Sequence, residues 1–316
     1  MHFSFFSTQI RYFLEVAQTG SVSQAAAQLH VAGSAVSRQI SKLEAALGCA
    51  LFERRARGMA LTPAGERLMA HARAGNDDAE QVIGQLRGLA GQAALRVRMA
   101  CTEGFAAGFM PGVVTGFRQA HPQARIELHV GSPDEVSRQL LQGDADVALK
   151  YSVAPEPGMA VQHAATAPVY ALMRPTHPLA RAPLVTVAEV VQHPVALSGK
   201  GMTGRQMFDL LCSLQGLQVQ PAVVSNFSSA LLPGVCGDDI VLSGYLTAAH
   251  LVREGRLVAV PFAEPQLQQR LLQVLTLQGR SLTPLVQAFV DRLVENIVRA
   301  GNGMAPGREV AGEGPA

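Results

Sequence analysis

Residues 12–68 read YFLEVAQTGSVSQAAAQLHVAGSAVSRQISKLEAALGCALFERRARGMALTPAGERL. Apolar residues recur three and four positions apart along this stretch, and that spacing predicts a succession of short amphipathic helices. Glycines and hydroxyl residues stand where such helices end and begin. The pattern predicts a first helix that stops at Gly20, a second capped by Ser21 or Ser23, and a third that runs from a cap at Ser34 to Gly48.

The second and third of these helices are joined by a tight turn, as in a helix-turn-helix. In that motif the second helix enters the major groove of DNA with its N-terminal side chains against the base edges. Arg can contact guanine through two hydrogen bonds, and hydroxyls or Lys can hold phosphates. The candidate DNA-contacting residues are Ser34, Ser37, Arg38, Gln39 and Lys42. A solvated surface helix carries similar residues, so this helix alone leaves both interpretations open.

A basic segment, LFERRARGMALT at residues 51–62, follows the third helix. It predicts two short strands joined by an Arg-rich, Gly-containing tip, the form of a wing. Such a tip can follow the phosphate backbone or enter the minor groove.

The whole stretch closely resembles the winged helix-turn-helix of LysR-type transcriptional regulators. The shared marks are AA-x-x-L, SAVSRQI-x-x-LE, LG-x-x-LF-x-R and LT-x-AG. The resemblance implies double-stranded DNA as a partner, with RNA polymerase as a further candidate, and DNA backbone or minor-groove contacts by Arg54 and Arg57. The family usually has Gln before the Ser-Ala-Val-Ser run, where this chain has Gly33. We therefore expect base preference to depend on Ser37 and Arg38.

A helical pattern continues after the wing, with Thr62 as cap and Pro63 in the first turn. In the family this long helix pairs two subunits, so the resemblance implies a dimer. Two DNA half-sites one turn apart, about 34 Å, also need two reading helices. Family members usually form tetramers from such dimers, and the sequence leaves the number open. Residues 74–76, Ala-Gly-Asn, interrupt the apolar stripe and mark a place where the helix can bend.

Strand and helix patterns alternate from residue 95 onward, which favours a parallel sheet covered by helices. The predicted strands cover residues 95–101, 126–130, 146–149, 169–173, 194–197, 219–224, 240–242 and 271–277, and the predicted helices cover 109–117, 133–141 and 284–298. More loosely, this part resembles the two-lobed, periplasmic-binding-protein-like effector domain of the same family.

The expected fold class is α+β multidomain. It comprises a winged helix-turn-helix at residues 1–64, a linker and dimerisation helix at 65–92, a two-lobed α/β effector domain at 93–300 and a disordered tail at 301–316. Within the effector domain we expect lobe I to combine residues 93–165 with 267–300, and lobe II to cover 166–266.

Ligands of open α/β proteins sit beyond the carboxyl ends of strands, near helix N-termini and between lobes. This rule selects Thr102, Ser132, Thr203 and Asn226 as candidate effector-binding residues. The family resemblance supports Thr102 and Ser132, since members commonly place effector-binding hydroxyls there. Each of the four is equally well explained as a capping or turn residue. Helix-start amides favour an anionic or polar small molecule, but Asp238 and Asp239 near the cleft leave the effector's charge and identity open.

Charge is unevenly distributed over the 316 residues. The net charge of +2 combines +4 in residues 1–75, balance in 76–98 and −2 in 99–316. A basic segment joined to a slightly acidic body fits a DNA-binding domain on a sensor. No apolar run approaches the roughly 18 residues of a membrane helix, and we see no export signal, so we expect a cytoplasmic protein without a membrane partner.

Enzymatic motifs are lacking. The four cysteines lie far apart and predict neither a metal site nor a disulfide framework. Residues 199–204 match GxGxxG, but no acidic residue follows about 20 positions on to hold a ribose, so we expect no cofactor. GxxxxGK[ST], HExxH and GxSxG do not occur. We expect an effector-modulated transcriptional regulator rather than an enzyme; the alternative is a small-molecule-binding or enzymatic α/β protein with an incidental basic N-terminal domain.

Overall fold

The structure is a computed structural model of the chain and describes residues 7–55, 58–86, 95–226, 231 and 239–302. Arg57, residues 87–92 of the expected linker and residues 303–316 of the expected tail lie outside this part. The first elements are α1 (Thr8–Thr19), α2 (Val22–Gln28), α3 (Gly33–Leu47), β1 (Phe52–Arg55), β2 (Gly58–Leu61) and α4 (Pro63–Leu86).

The helix ends of this head, residues 7–66, follow local signals in the sequence. Gly20 and Gly48 end α1 and α3 with φ angles of 65° and 70°, a conformation that glycine adopts without steric cost. The Ser21 hydroxyl caps α2 by accepting a hydrogen bond from the backbone of Gln24. The three predicted helices and the predicted caps at these positions are confirmed.

The predicted cap at Ser34 is wrong. Helix α3 begins at Gly33, and its N-cap is Ala32, whose carbonyl accepts hydrogen bonds from the amides of Ala35 and Val36. No side chain caps this end. The hydroxyl of Ser34 therefore lies in the first turn of α3 and is exposed.

The head has its own apolar core between the three helices and the start of the wing. Phe13 and Val16 of α1 and Val36 of α3 are fully buried. The ring of Phe52, at the start of β1, packs against that of Phe13 with centroids 5.3 Å apart. Helix α4 then leaves the head and stays helical through residues 74–76, where the sequence pattern is interrupted.

The body contains two five-stranded sheets, each with helices around it. Lobe I comprises β3 (Arg96–Thr102), α5 (Glu103–Ala106), α6 (Met110–Ala120), β4 (Arg125–Gly131), α7 (Pro133–Leu141), β5 (Val147–Ser152), β6 (Met159–Thr166), β12 (Leu271–Leu277) and α12 (Pro284–Asn302). Lobe II comprises β7 (Val169–Met173), a 3-10 turn (Pro178–Arg181), α8 (Val187–Val190), β8 (Val195–Ser198), α9 (Thr203–Leu214), β9 (Val223–Ser225), β10 (Ile240–Gly244), α10 (Tyr245–Arg253), β11 (Val258–Pro261) and α11 (Pro265–Gln268).

Both sheets are mixed, so the expectation of a parallel sheet is only partly correct. The strand orders are β4-β3-β5-β12-β6 and β11-β7-β10-β8-β9. Strands β4, β3 and β5 run parallel, as do β10, β8 and β9, whereas β12 and β7 are antiparallel to both of their neighbours. The sequence pattern did not predict β6 or β11. It predicted a strand at residues 219–224, whereas β9 covers only Val223–Ser225. The antiparallel strands are those by which the chain leaves one lobe and enters the other.

Each lobe has a core around its own sheet. Phe117 and Phe289 meet edge to face in lobe I with ring centroids 5.0 Å apart, so α6 and the late helix α12 cover the same side of its sheet. Phe208 and Phe262 are fully buried in lobe II. Leu246 of α10, in lobe II, is also buried in the core of lobe I, so the lobes are joined by packing of α10 as well as by two chain crossings.

The two crossings lie side by side. The amide of Ala167, between β6 and β7, donates to the carbonyl of Arg270 at 2.7 Å, and Arg270 Nε donates to the Ala167 carbonyl at 2.9 Å. Arg270 stands just before β12. These two hydrogen bonds hold the crossings together at the junction of the lobes, beside the cleft.

Candidate functional site

Helix α3 presents a polar face beside the wing. The side chains of Val36, Ile40 and Leu43 are buried in the head, and the opposite side carries the predicted DNA-contacting residues. Of these, Ser34, Ser37, Arg38 and Lys42 are exposed, and Gln39 is partly buried. Within the described residues, Arg38 and Lys42 form no ion pair, so their positive charges are free to meet phosphates or base edges.

The start of α3 favours an anion. Its first turn carries no acidic residue, and no side chain caps its free amides. The positive end of the helix dipole therefore faces solvent without compensation. Among the described residues, a Cβ built on Gly33 would meet no atom within 4 Å apart from its chain neighbours and the backbone of its own helix, so this position has room for a side chain.

The wing carries a further exposed cation. Strands β1 and β2 pair antiparallel from Phe52 with Leu61 to Arg55 with Gly58. Arg55 forms an ion pair with Glu53, whereas Arg54 is exposed and, in the described part of the wing, forms none. The other predicted wing contact, Arg57, lies outside the described residues.

Three contacts fix the wing to the helices. The Glu44 carboxylate accepts hydrogen bonds from the amides of Leu51 and Phe52 at 2.8 and 3.3 Å. The amide of Met59 donates to the Gly20 carbonyl at 2.8 Å. No role for Glu44 was predicted from the sequence, although its place in the LE pair near the end of α3 was a usable signal.

Thr62 holds the base of the wing and begins α4. Its hydroxyl donates to the carbonyl of Ala50 at 2.7 Å and accepts from the amide of Gly65 at 3.1 Å. The predicted cap at Thr62 is confirmed. A Cβ built on Gly65 would lie 2.1 Å from the Leu51 carbonyl oxygen, so only glycine lets α4 pack this closely on the wing.

The second candidate site is the cleft between the lobes. Its polar lining consists of Thr102, Glu103, Tyr151, Ser198, Thr203, Ser243 and Arg270. The space enclosed between these residues is about 20 Å³, which is room for about one water molecule. The polar lining suits a small polar ligand.

Two of the four predicted effector-binding residues meet in this cleft. Thr102 is 1% exposed, and its hydroxyl has no hydrogen-bond partner among the described residues. The hydroxyl of Thr203, at the start of α9, donates to the carbonyl of Tyr151 at 3.2 Å. A buried hydroxyl without a partner is unfavourable unless a ligand or water satisfies it.

The other two lie elsewhere. The Ser132 hydroxyl belongs to a capping box: it accepts from the amide of Glu135 at 3.4 Å and donates to its carboxylate at 3.0 Å. The hydrogen bonds from the backbone and side chain of Ser132 lower the pKa of Glu135 from its ordinary value. Asn226 is exposed after β9 and is not part of the cleft lining.

Arg270 is a cleft residue that the sequence did not predict. It is 3% exposed, and its guanidinium carbon lies 3.8 Å from the centroid of the Tyr151 ring. Its Nη2 donates to the carbonyl of Pro168 at 3.0 Å. Burial lowers the pKa of Arg270 from its ordinary value. In the sequence it is one arginine among glutamines before a strand, with no local sign that it is buried.

Two family models match separate parts of the chain. A family model described as the bacterial regulatory helix-turn-helix protein of the lysR family matches residues 7–66, and the LysR substrate binding domain matches residues 90–297. The chain belongs to the LysR family. The expected α+β architecture, with a winged helix-turn-helix and a two-lobed effector domain, is confirmed.

Curated LysR relatives match over most of their length. GltC, a transcriptional dual regulator of Bacillus subtilis, is 27% identical over 292 residues, which cover 91% of this chain and 96% of GltC. The RuBisCO operon transcriptional regulator of Allochromatium vinosum is 24% identical over 294 residues, which cover 92% and 96% of the two chains.

Solved structures show the same fold. Full-length OxyR from Pseudomonas aeruginosa, in a variant form, has a TM-score of 0.64 at 20% identity, with 94% of this chain and 95% of OxyR covered. HinK, a LysR family transcriptional regulator from the same organism, has a TM-score of 0.53 at 25% identity, with 92% and 98% covered.

Two kinds of feature are absent from the part of this LysR chain that the structure describes. None of its helices has the length and apolar character to cross a membrane. The same residues contain no group of three or more His, Cys, Asp or Glu side chains that could hold a metal ion.

Proposed function

We propose that this LysR-family regulator reads DNA through α3 and the wing, and that a small molecule bound in the cleft modulates its activity. The observation that carries the proposal is the uncapped, acid-free start of α3, with the exposed charges of Arg38 and Lys42 beside it. DNA supplies the negative charge that this surface lacks.

The residues of the proposed DNA-binding surface, on α3 and the wing, have different roles. Arg38 reads a base edge, because its guanidinium can form two hydrogen bonds with guanine. Ser34, Ser37 and Lys42 hold phosphates around the start of α3, and Gln39 supports this face. Arg54 and Arg57 contact the backbone or the minor groove from the wing.

The proposed DNA binding has consequences for the oligomeric state and the cellular location of the regulator. We propose that two chains pair through α4, so that two copies of α3 meet two half-sites of the operator. The regulator acts in the cytoplasm, where its DNA is, and catalyses no reaction. We divide the chain as the sequence predicts, with residues 65–92 coupling the head at 1–64 to the sensor at 93–300.

DNA binding is tested by its dependence on salt. We expect retention on DNA-cellulose at low ionic strength and release over a narrow range of rising salt, because each phosphate contact displaces counterions. Fluorescence anisotropy with a labelled duplex from the region beside the protein's own gene measures the slope. A chain that does not bind DNA at low salt, or that turns over a metabolite, would favour the alternative of an α/β protein with an incidental basic domain.

Two single substitutions, each of which removes one hydroxyl, distinguish a ligand-binding residue from a helix-capping residue. Thr102→Val should leave the free energy of unfolding unchanged or raise it by about 1 kcal/mol, because the hydroxyl it removes is buried and has no partner among the described residues. Ser132→Ala should lower it by about 1 kcal/mol, because an N-cap is lost. Urea unfolding followed by circular dichroism measures both.

The regulatory response provides the second readout for the same pair. We expect Thr102→Val to lose effector-dependent expression of a reporter gene, and Ser132→Ala to keep it. If Thr102→Val destabilises the protein as much as Ser132→Ala does, the hydroxyl of Thr102 is structural and its role in the cleft is excluded.

A further inference from the structure

The space between the lobes has the size of one water molecule. It measures about 20 Å³, and a water needs roughly 10–15 Å³ of such space. Thr102 and Tyr151 line it from lobe I, and Ser198 and Ser243 line it from lobe II. Cavities stay dry when their walls are apolar, whereas a polar wall offers a water the hydrogen bonds it needs. One water therefore fits, and a larger molecule fits only if the lobes move apart.

The hydroxyl of Thr102 is the lining group that most needs a partner. Thr102 is 1% exposed, and its Oγ1 has no hydrogen-bond partner among the described residues. It is the N-cap of α5, yet its side chain forms no capping hydrogen bond. A hydroxyl can donate one hydrogen bond and accept two, and leaving it unsatisfied in the interior is unfavourable. A water in the adjoining space satisfies it.

Lobe II brings two further hydroxyls to this space. Ser198 ends β8 and Ser243 lies in β10, which are neighbouring parallel strands, and both serines are buried. The buried charged residues Glu103 and Arg270 also line the space and add to its polarity. A buried water typically forms about three hydrogen bonds. A water bound to Thr102 therefore has partners on the opposite lobe within the same small volume.

Helix α10 keeps the space small. A Cβ built on Gly104 would lie 2.8 Å from Thr247 Oγ1, and one on Gly108 would lie 2.9 Å from His250 Nδ1 and 3.1 Å from the carbonyl oxygen of Leu246. These two glycines of lobe I thus let α10 of lobe II approach closely. The space can grow only if this contact changes as well.

We propose that one water molecule is bound in the cleft, where it links the hydroxyl of Thr102 in lobe I to a hydroxyl of Ser198 or Ser243 in lobe II. The water site itself stands apart from the proposed regulatory function. One consequence rests on that function and deepens it: an effector that enters the cleft displaces this water and gains most when one of its own polar groups replaces the water's hydrogen bonds.

A crystal structure of the full chain, at a resolution that shows ordered waters, tests the site directly. We expect a water roughly 2.5–3.0 Å from Thr102 Oγ1, the usual distance between two hydrogen-bonded oxygens. The same water should lie within hydrogen-bond distance of the hydroxyl of Ser198 or Ser243.

Variants assign the water to Thr102. Thr102→Val keeps the shape of the side chain but removes its hydroxyl, so we expect the water to be lost. Thr102→Ser keeps a hydroxyl and should keep the water. Thr276→Val is the matched control, because it makes the same change at an equally buried threonine of lobe I whose hydroxyl accepts a hydrogen bond from Gln162 at 2.8 Å. It should keep the water in the cleft.

Four results would overturn the proposal. They are a natural protein with no water at Thr102 Oγ1, a water that contacts lobe I alone, a water that persists unchanged in Thr102→Val, and loss of the water from Thr276→Val as well. The natural protein and Thr102→Ser decide the question even if Thr102→Val does not fold. Failure of the proposed regulatory function is seen separately, as absent DNA binding, because the crystals need neither DNA nor effector.

Discussion

Gly65→Ala is expected to lower the free energy of unfolding of the head by about 3 kcal/mol and to abolish DNA binding. The new Cβ would lie 2.1 Å from the carbonyl oxygen of Leu51 and 2.9 Å from a methyl carbon of Leu61. The first contact involves backbone, which cannot rotate away as a side chain can. Helix α4 or the start of the wing must shift, and overpacking of this kind costs about 1–3 kcal/mol or more.

Gly33→Ala is the matched control for that experiment. It adds the same methyl group to a helical glycine of the same domain, where the described residues place no atom within 4 Å apart from the chain neighbours and the helix's own backbone. Because alanine is the better helix former, we expect stability to rise by up to about 1 kcal/mol. Urea unfolding measures both variants, and hydrogen exchange over residues 7–66 locates the change. Equal stability of the two variants would show that the close approach of α4 to the wing is unimportant.

Arg38→Ala is expected to weaken binding to the preferred DNA sequence roughly 10- to 100-fold, as loss of a bidentate base contact does. The exposed guanidinium has no competing partner among the described residues, so the loss appears directly in DNA affinity. Lys42→Ala should instead weaken binding about equally for all sequences and reduce the salt slope by about one contact. Selection from randomised duplexes, followed by mobility-shift titration, measures affinity and base preference together.

Arg118→Ala controls for net charge, because it removes one exposed arginine from α6, far along the chain from the head. We expect its DNA affinity and base preference to match those of the natural protein. If Arg38→Ala also kept both, the proposal that Arg38 reads a base would fail, and a solvated helix face would explain its exposure.

The head could be predicted in detail because its signals are local. Gly20, Gly48, Ser21 and Thr62 each act within four residues of the helix end they define. The exception is Ser34, a good capping residue that lies inside the helix because Ala32 already supplies the first carbonyl. Capping preference chooses among nearby positions only weakly when the preceding turn can start the helix earlier.

Only some of the cleft residues could be predicted, because the signals for the others are not local in the sequence. Thr102 and Thr203 follow the general rule for strand ends, but Arg270 reaches them only through the second crossing between the lobes, so no local pattern marks it. Ser132 did carry a visible counter-signal, since Glu135 three residues later completes a capping box. The directions of β7 and β12 were also hidden, because hydrophobic alternation does not reveal which way a strand runs.

The division of lobe I into two chain segments also orders folding during synthesis. Gln162 donates a hydrogen bond to Thr276 across 114 positions, so the lobe I sheet stays incomplete until β12 has been made. Contacts so distant in sequence form slowly, because a long loop must first close. Lobe II has all five strands of its sheet once β11 has left the ribosome. The inserted lobe therefore matures first, and the lobe that receives it is the last part of the sensor to become stable.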